Sequence, residues 1–314
     1  MSEMIYDLII IGAGPSALTA AIYTTREDLK TVLYEKALVG GLAAITDKID
    51  NYPGFADGIE GFELTDQMRK QAEKFGAKIE VGDVTAVRSD GDTKMVTVDN
   101  KEIKSKAILI STGSSYNKLG ITGEIEYYGR GVSYCATCDG AFYRGKKLAV
   151  IGGGNSAVQE AIFLTRFASH IDLLVRSTVK ASEVLQRELQ KFVNEGKINI
   201  HVGTVTSEII ATDNHVSSVR VVENKKEKLI EVDGVFVFAG LKPNTQFLYN
   251  SGVELDIAGF VKTDLHLQTN VSGIFASGDV RSGATMQIAS AVGEGATAAQ
   301  SIREYLNDNS RNLI

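Results

Sequence analysis

The chain holds two cysteines, Cys135 and Cys138, set three positions apart in the run Cys-Ala-Thr-Cys-Asp. Thiols at this spacing can ligate a metal, tie a loop, or cycle between dithiol and disulfide. A zinc site needs two further ligands. The four histidines, His170, His201, His215 and His266, show no paired spacing that would supply them. A structural disulfide does not suit a reducing compartment. Redox cycling is the strongest reading left, with no metal expected. Asp139 directly follows the second sulfur, where the plain reading is a turn aspartate before Gly140. Attack on a disulfide needs a thiolate, so the surroundings must favour the anion of a group whose pKa starts at about 8.5.

A dithiol needs an electron source, and two glycine turns supply the pattern of one. The apolar run YDLIII (6–11) reads as a fully buried strand. It runs into Gly12-Ala13-Gly14-Pro15-Ser16-Ala17, then an alanine-rich helical stretch, then the strand TVLYEK ending near Glu35. Strand, glycine turn, helix, strand and acid form the dinucleotide fingerprint in its proper context. Gly12 permits the tight turn, Gly14 lets the backbone approach a pyrophosphate, and Ala17 allows close helix packing. Glu35 can accept hydrogen bonds from a ribose. The pattern recurs at KLAVI (147–151), Gly152-Gly153-Gly154-Asn155-Ser156-Ala157 and the helical VQEAIFLTRF. Here the acid is missing and Arg176 follows the closing strand, which suits a 2′-phosphate, unless it is only a solvated arginine at a strand end. Two nucleotide folds in one chain suggest that one cofactor passes electrons to the other, the alternative being one working site and a degenerate copy. Two further apolar strands, AILISTG (107–113) and GIFASGDV (273–280), bring Gly113 and Asp279 to strand ends, and a helical stretch spans roughly 286–305.

At 314 residues the chain is long enough for about two domains. Its 44% hydrophobic and 23% charged residues are ordinary for a soluble globular protein. A net charge of −6 argues against nucleic acid or an anionic membrane as partner. The N-terminus has no basic region before its apolar run, and no apolar stretch approaches the roughly 20 residues that a bilayer requires. A cytoplasmic location is expected.

The run RGVSYCATCDGAFYRGKKLAVIGGGNSAVQEA (130–161) closely resembles the low-molecular-weight thioredoxin reductases. So do IIIGAGPSALTAAIY near the start, NYPGF (51–55), LKPNT (241–245) and GIFASGDV followed by QIASAVGEGATAA near the end. The likeness covers essentially the whole chain with the motifs in family order. It implies an α/β fold of two Rossmann-like, three-layer nucleotide-binding domains, the second inserted into the first. Residues 1–116 and 246–314 would bind FAD, and 117–245 would bind NADPH or NADH and carry the redox pair. Linkers would lie near 114–119 and 242–246. The FAD contacts implied are Gly12, Gly14, Pro15, Ser16, Ala17, Glu35, Gly41, Leu42, Asn51, Gly113, Asp279, Gln287 and Ile288. Those for the pyridine nucleotide are Gly152, Gly154, Asn155, Ser156, Arg176 and Lys180. Cys138 would face the flavin, Cys135 would attack a protein disulfide, and Asp139 would be the acid–base group. Arg130, Phe142 and Tyr143 would dock thioredoxin or a thioredoxin-like protein, and the enzyme would be a homodimer.

The sequence departs from the family pattern in three places. NADPH users carry His-Arg-Arg after the second strand of the nucleotide domain, where this chain has Val175-Arg176-Ser177, with Ala181 in place of a later arginine. This leaves open NADPH held by Arg176 and Lys180, relaxed use of NADH, or a ferredoxin-type donor; the intact GGGNSA turn favours a nucleotide. Gly41 precedes Leu42 where a glutamine is common, and Met286 precedes Gln287 where an arginine is usual. A reductase of the same build could also serve another disulfide partner, and a flavin sensor without turnover is the alternative outside enzymes.

Overall fold

The structure, a computed structural model, describes residues 5–46, 49, 51–223 and 225–311. The chain begins with β1 (Ile5–Ile11), α1 (Pro15–Thr25), β2 (Thr31–Glu35), α2 (Gly41–Ala44), α3 (Gly61–Lys74) and β3 (Lys78–Val81). It continues through β4 (Val84–Asp90), β5 (Thr93–Val98), β6 (Lys101–Ile110), β7 (Ser114–Tyr116), β8 (Val132–Ser133) and α4 (Ala136–Asp139). Next come β9 (Lys147–Ile151), α5 (Asn155–Leu164), β10 (His170–Val175), α6 (Glu183–Asn194) and β11 (Ile198–Val202). The last elements are β12 (Thr204–Thr212), β13 (His215–Glu223), β14 (Lys226–Glu231), β15 (Gly234–Val237), β16 (Leu241–Pro243), β17 (Ile274–Ala276) and α7 (Ile288–Arg311).

These elements gather into two compact units, one of Met1–Ser115 with Lys242–Ile314 and one of Tyr116–Leu241. The strands at the two chain crossings, β7 and β16, pair with each other. In the first unit the sheet order is β3-β2-β1-β6-β5-β4, with β17 also on β6. β6 divides its outer edge: Lys101 to Ser105 pair with antiparallel β5, and Ile108 to Ile110 with parallel β17. The run LIII in β1 is apolar at every position because both faces of its sheet are covered. Leu8 and Ile10 pack with Leu18 of α1, Leu64 of α3 and Ile302 of α7. Ile9 and Ile11 pack on the opposite side with Val87, Val96, Val253 and Val261.

The second unit repeats this logic. Its sheet, β11-β10-β9-β15-β8, is parallel throughout. Leu148 and Val150 of β9 meet Val158 and Leu164 of α5 and Leu189 of α6. Ala149 and Ile151 meet Ile209, Val219 and Val221 of the antiparallel sheet β12-β13-β14. Helices, parallel sheet and antiparallel ribbon make three layers, and each unit is a Rossmann-type nucleotide fold.

Helix α7 begins two residues later than the sequence pattern suggests and runs further, to Arg311. Met286 stands at φ +57°, which a right-handed helix does not accommodate, so the helix starts beyond it. The far end is carried by packing, since Ile302 and Leu306 are buried against the first unit's core.

Candidate functional site

Cys135 and Cys138 form a disulfide, with the sulfurs 2.07 Å apart. The strand β8 sets its position: Val132 and Ser133 pair with Val235 and Phe236 at the edge of the parallel sheet. Cys135 follows as the N-cap of α4, and the Cys138 N–H donates to its Sγ at 3.2 Å. When the pair is reduced, that N–H is in place to stabilise a thiolate at Cys135. Both cysteines are partly accessible, and Asp139 is also only half-buried.

Asp139 is held as well as placed. Its N–H donates to the Cys135 carbonyl at 3.1 Å, and its Oδ2 accepts from the Ser133 hydroxyl at 2.5 Å. The Asp139 charge is felt by two aromatic neighbours. Burial first, and then that charge, push the Tyr143 phenol up to about 12 and raise Tyr128 for the same two reasons. Tyr128 packs on Tyr134, whose O–H donates to Glu124 at 2.8 Å. Glu124 is fully buried and also takes the N–H groups of Leu119 and Gly120. Ser133, Tyr134 and Glu124 thus brace the dithiol segment. Sequence reading singled out none of them, because each acts through a contact that no motif encodes.

In the first unit the turn after β1 has the shape a dinucleotide requires. Gly12 sits at φ +100°, and a Cβ there would lie 2.5 Å from the Ser111 carbonyl oxygen. Gly14 caps α1 with Pro15 at its first position, and a Cβ on Gly14 would meet nothing within 4 Å. The nearest atom to a Cβ on Gly41 is the Gly14 Cα at 3.9 Å, so the two glycines flank one opening. The free N–H groups of the α1 N-terminus suit a pyrophosphate there. Ala17 is fully buried, while Leu42 on α2 is exposed. The Glu35 carboxylate takes N–H groups from Ala13 and Ala37, each at 2.9 Å. It therefore shapes the turn, and its remaining lone pairs can still accept a ribose hydroxyl.

Other expected residues of this unit have partners within the protein. Ser16 donates to Ser277 at 2.6 Å, and Ser277 contacts Ser111 at 2.9 Å, a buried link between α1 and the ends of β17 and β6. Asn51 and Gln287, distant in sequence, are joined at 3.1 Å, and Ile288 opens α7 beside them. The Gly113 carbonyl accepts the Asn244 N–H at 3.0 Å. Burial, with Glu294 nearby, pushes the Asp279 carboxyl up to about 6. An acid so placed favours a neutral state or a hydroxyl donor. Together these residues fit a flavin adenine dinucleotide.

The second unit carries a matching turn. Gly152 sits at φ +146°, with the Phe238 carbonyl oxygen 2.5 Å from where a Cβ would be. Gly154 caps α5 and faces open space. Asn155 accepts the Ser182 N–H at 2.8 Å, and the Lys180 N–H donates to Gly153 at 2.6 Å. The loop holding Arg176 and Lys180 is thereby bound to the glycine turn, and both cationic side chains, like Ser156, are exposed. Among the described residues no group of histidines, cysteines and carboxylates could hold a metal, and no helix is long and apolar enough to cross a membrane.

The chain thus carries a redox disulfide and two nucleotide turns, and known proteins share that combination. The sequence pattern described as pyridine nucleotide-disulphide oxidoreductase matches residues 6–295. The chain belongs to that family. As an oxidoreductase of the family it uses FAD and a pyridine nucleotide. It is 42% identical to thioredoxin reductase of Bacillus subtilis, over 98% of this chain and 96% of that protein. The crystal structure of thioredoxin reductase from Streptococcus pyogenes superposes with a TM-score of 0.92 at 38% identity, covering 98% of this chain and all of that one. Thioredoxin reductase from Giardia duodenalis gives 0.90 at 30% identity, covering 97% and 100%.

Proposed function

We propose that this oxidoreductase is a thioredoxin-disulfide reductase. The observation that carries the reading is the accessible Cys135–Cys138 disulfide, with an N–H aimed at the Cys135 sulfur and a carboxyl fixed beside it. In this reading the unit of Met1–Ser115 and Lys242–Ile314 holds FAD, and the unit Tyr116–Leu241 holds the pyridine nucleotide. Bound FAD supplies the two-electron link between a nicotinamide and the disulfide. Gly14, Gly41 and the α1 N-terminus receive its pyrophosphate, Glu35 its ribose, and Asp279 a hydroxyl further along. Gly152, Gly154 and the α5 N-terminus receive the second nucleotide, and Arg176 and Lys180 are the cations available to a 2′-phosphate.

Once the pair is reduced, the Cys135 thiolate attacks one sulfur of the partner disulfide. A new S–S bond forms, the partner's own S–S bond breaks, and its other sulfur leaves as a thiolate. Asp139 gives that thiolate a proton and becomes a carboxylate. Cys138 gives its proton to that carboxylate, and its thiolate attacks the Cys135 sulfur, restores the intramolecular disulfide and releases the second partner thiolate to be protonated by water. In sum the enzyme dithiol is oxidised and the partner disulfide is reduced. Arg130 has its guanidinium fixed by Asn214 and the Glu126 carbonyl, and Phe142 is 52% exposed; both are suited to docking such a partner. The protein works as a homodimer in the cytoplasm.

The test is anaerobic reduction of the flavoprotein with NADPH, NADH and reduced ferredoxin in parallel, followed by flavin absorbance and then by turnover with oxidised thioredoxin. Either pyridine nucleotide should bleach the flavin; bleaching by ferredoxin alone would remove the nucleotide from the scheme. Cys138→Ser should keep flavin reduction by the nucleotide and lose thioredoxin turnover. Full turnover in that variant would rule out the dithiol route.

A further inference from the structure

The Ser133 hydroxyl lies at the centre of three polar contacts. It donates to Asp139 Oδ2 at 2.5 Å, accepts the Cys135 N–H at 3.1 Å, and lies 3.3 Å from the Cys135 carbonyl oxygen. The residue is 2% exposed and its backbone is fixed by pairing with Phe236. A hydroxyl has one proton and two lone pairs. When Asp139 is a carboxylate, that proton points to its Oδ2, the shorter and charge-assisted contact. If Asp139 carries a proton, the roles can reverse. The carboxylic acid donates to Ser133 Oγ, and the Ser133 proton turns to the Cys135 carbonyl, which is already in range.

We infer that Ser133 is a positioning residue for Asp139, a hydroxyl switch that keeps this acid beside the dithiol in both of its protonation states. The inference rests on the proposed role of Asp139 as proton donor to the leaving thiolate. It adds that the donor is oriented by a side chain buried at the sheet edge rather than by solvent. Around Asp139 stand the two thiols, Tyr128 and Tyr143, with Lys118 above the Tyr128 ring. Helix α5, packed against α4, adds Glu160, whose carboxyl is raised by burial. Ser133 is a neutral donor that bonds directly to the acid.

The experiment compares wild type, Ser133→Ala, Asp139→Asn and the double variant as FAD-loaded enzymes. Each is reduced anaerobically with NADPH, and its reoxidation by oxidised thioredoxin is followed by stopped flow across pH. In wild type the rate should fall at high pH as Asp139 loses its proton, and Asp139→Asn should abolish that limb. In Ser133→Ala the carboxylate loses the Ser133 hydroxyl, so the limb should move up by about one to two pH units, with a plateau about tenfold lower. FAD content and flavin reduction by NADPH should be unchanged, which separates the effect from misfolding. Adding Ser133→Ala to Asp139→Asn should change nothing further, since one residue acts through the other. An unmoved limb in Ser133→Ala, or losses that multiply in the double variant, would overturn the role of Ser133 alone. A wild type with normal turnover and no limb sensitive to Asp139→Asn would overturn the proton-donor reading, and this inference with it.

Discussion

At the residue scale, Asp279 carries a charge that the fold itself disfavours. Its carboxyl is raised from 3.8 to about 6 by burial, with the Glu294 charge adding to it. Ionising it inside the fold therefore costs free energy that the unfolded chain does not pay. The cost is absent below about pH 4 and develops as the pH rises toward and past 6, reaching up to about 3 kcal/mol for a shift of roughly two units. Asp279→Asn should stabilise the flavin-free protein at neutral pH and leave it unchanged in acid, as denaturant titrations at the two pH values would read. The same variant should retain FAD less well, because a carboxylate is the stronger acceptor for a ligand hydroxyl. Equal stabilisation at both pH values would show that something other than ionisation is at work.

At the element scale, the first glycine turn separates two demands. Gly12 is required by the fold itself: it stands at φ +100° with the Ser111 carbonyl against its missing Cβ. Gly14 has ordinary backbone geometry and open space beyond it. Gly12→Ala should thus cost about 2 kcal/mol or more in stability, whereas Gly14→Ala should stay within about 0.5 kcal/mol and still lose FAD. Thermal unfolding of the flavin-free proteins and flavin content after gel filtration read the two effects separately. The contrast follows from what each Cβ would meet: protein backbone in one case, open space in the other. β6 makes a related point, since one strand serves β5 with its first half and β17 with its second. That division brings Ser111 beside Ser277, and through it Ser16.

At the scale of the whole molecule, each unit has its own parallel sheet and its own apolar clusters. Units built this way are expected to unfold as separate cooperative blocks. Scanning calorimetry should resolve two transitions, with FAD raising one and NADP⁺ the other, each by mass action on the unit that binds it. A single transition moved equally by both ligands would mean that the units unfold as one. The division of the chain was partly legible beforehand, since two glycine turns of like pattern lie far apart. By packing, the second crossing falls between Leu241 and Lys242. Beyond it, Asn244 is bound to the first unit through the Thr112 and Gly113 carbonyls.

What the sequence determined by itself are features written in adjacent residues: the dithiol, the aspartate after it, the two glycine turns, and the apolar strands that lead into them. Each depends on local backbone geometry or on side chains a few positions apart, so spacing alone reveals it. The antiparallel ribbon β12-β13-β14, the pairing of Asn51 with Gln287 and the partners of Glu35 had no such signature. Only the tertiary structure decided the surroundings of the redox pair. Ser133, Tyr134 and Glu124 are ordinary residues in the sequence, and they matter because the edge strand β8 and the buried Glu124 carboxylate bring their polar atoms within hydrogen-bond range. A hydrogen bond depends on position to a few tenths of an ångström. That precision comes from the packing of the sheet rather than from the spacing of the chain.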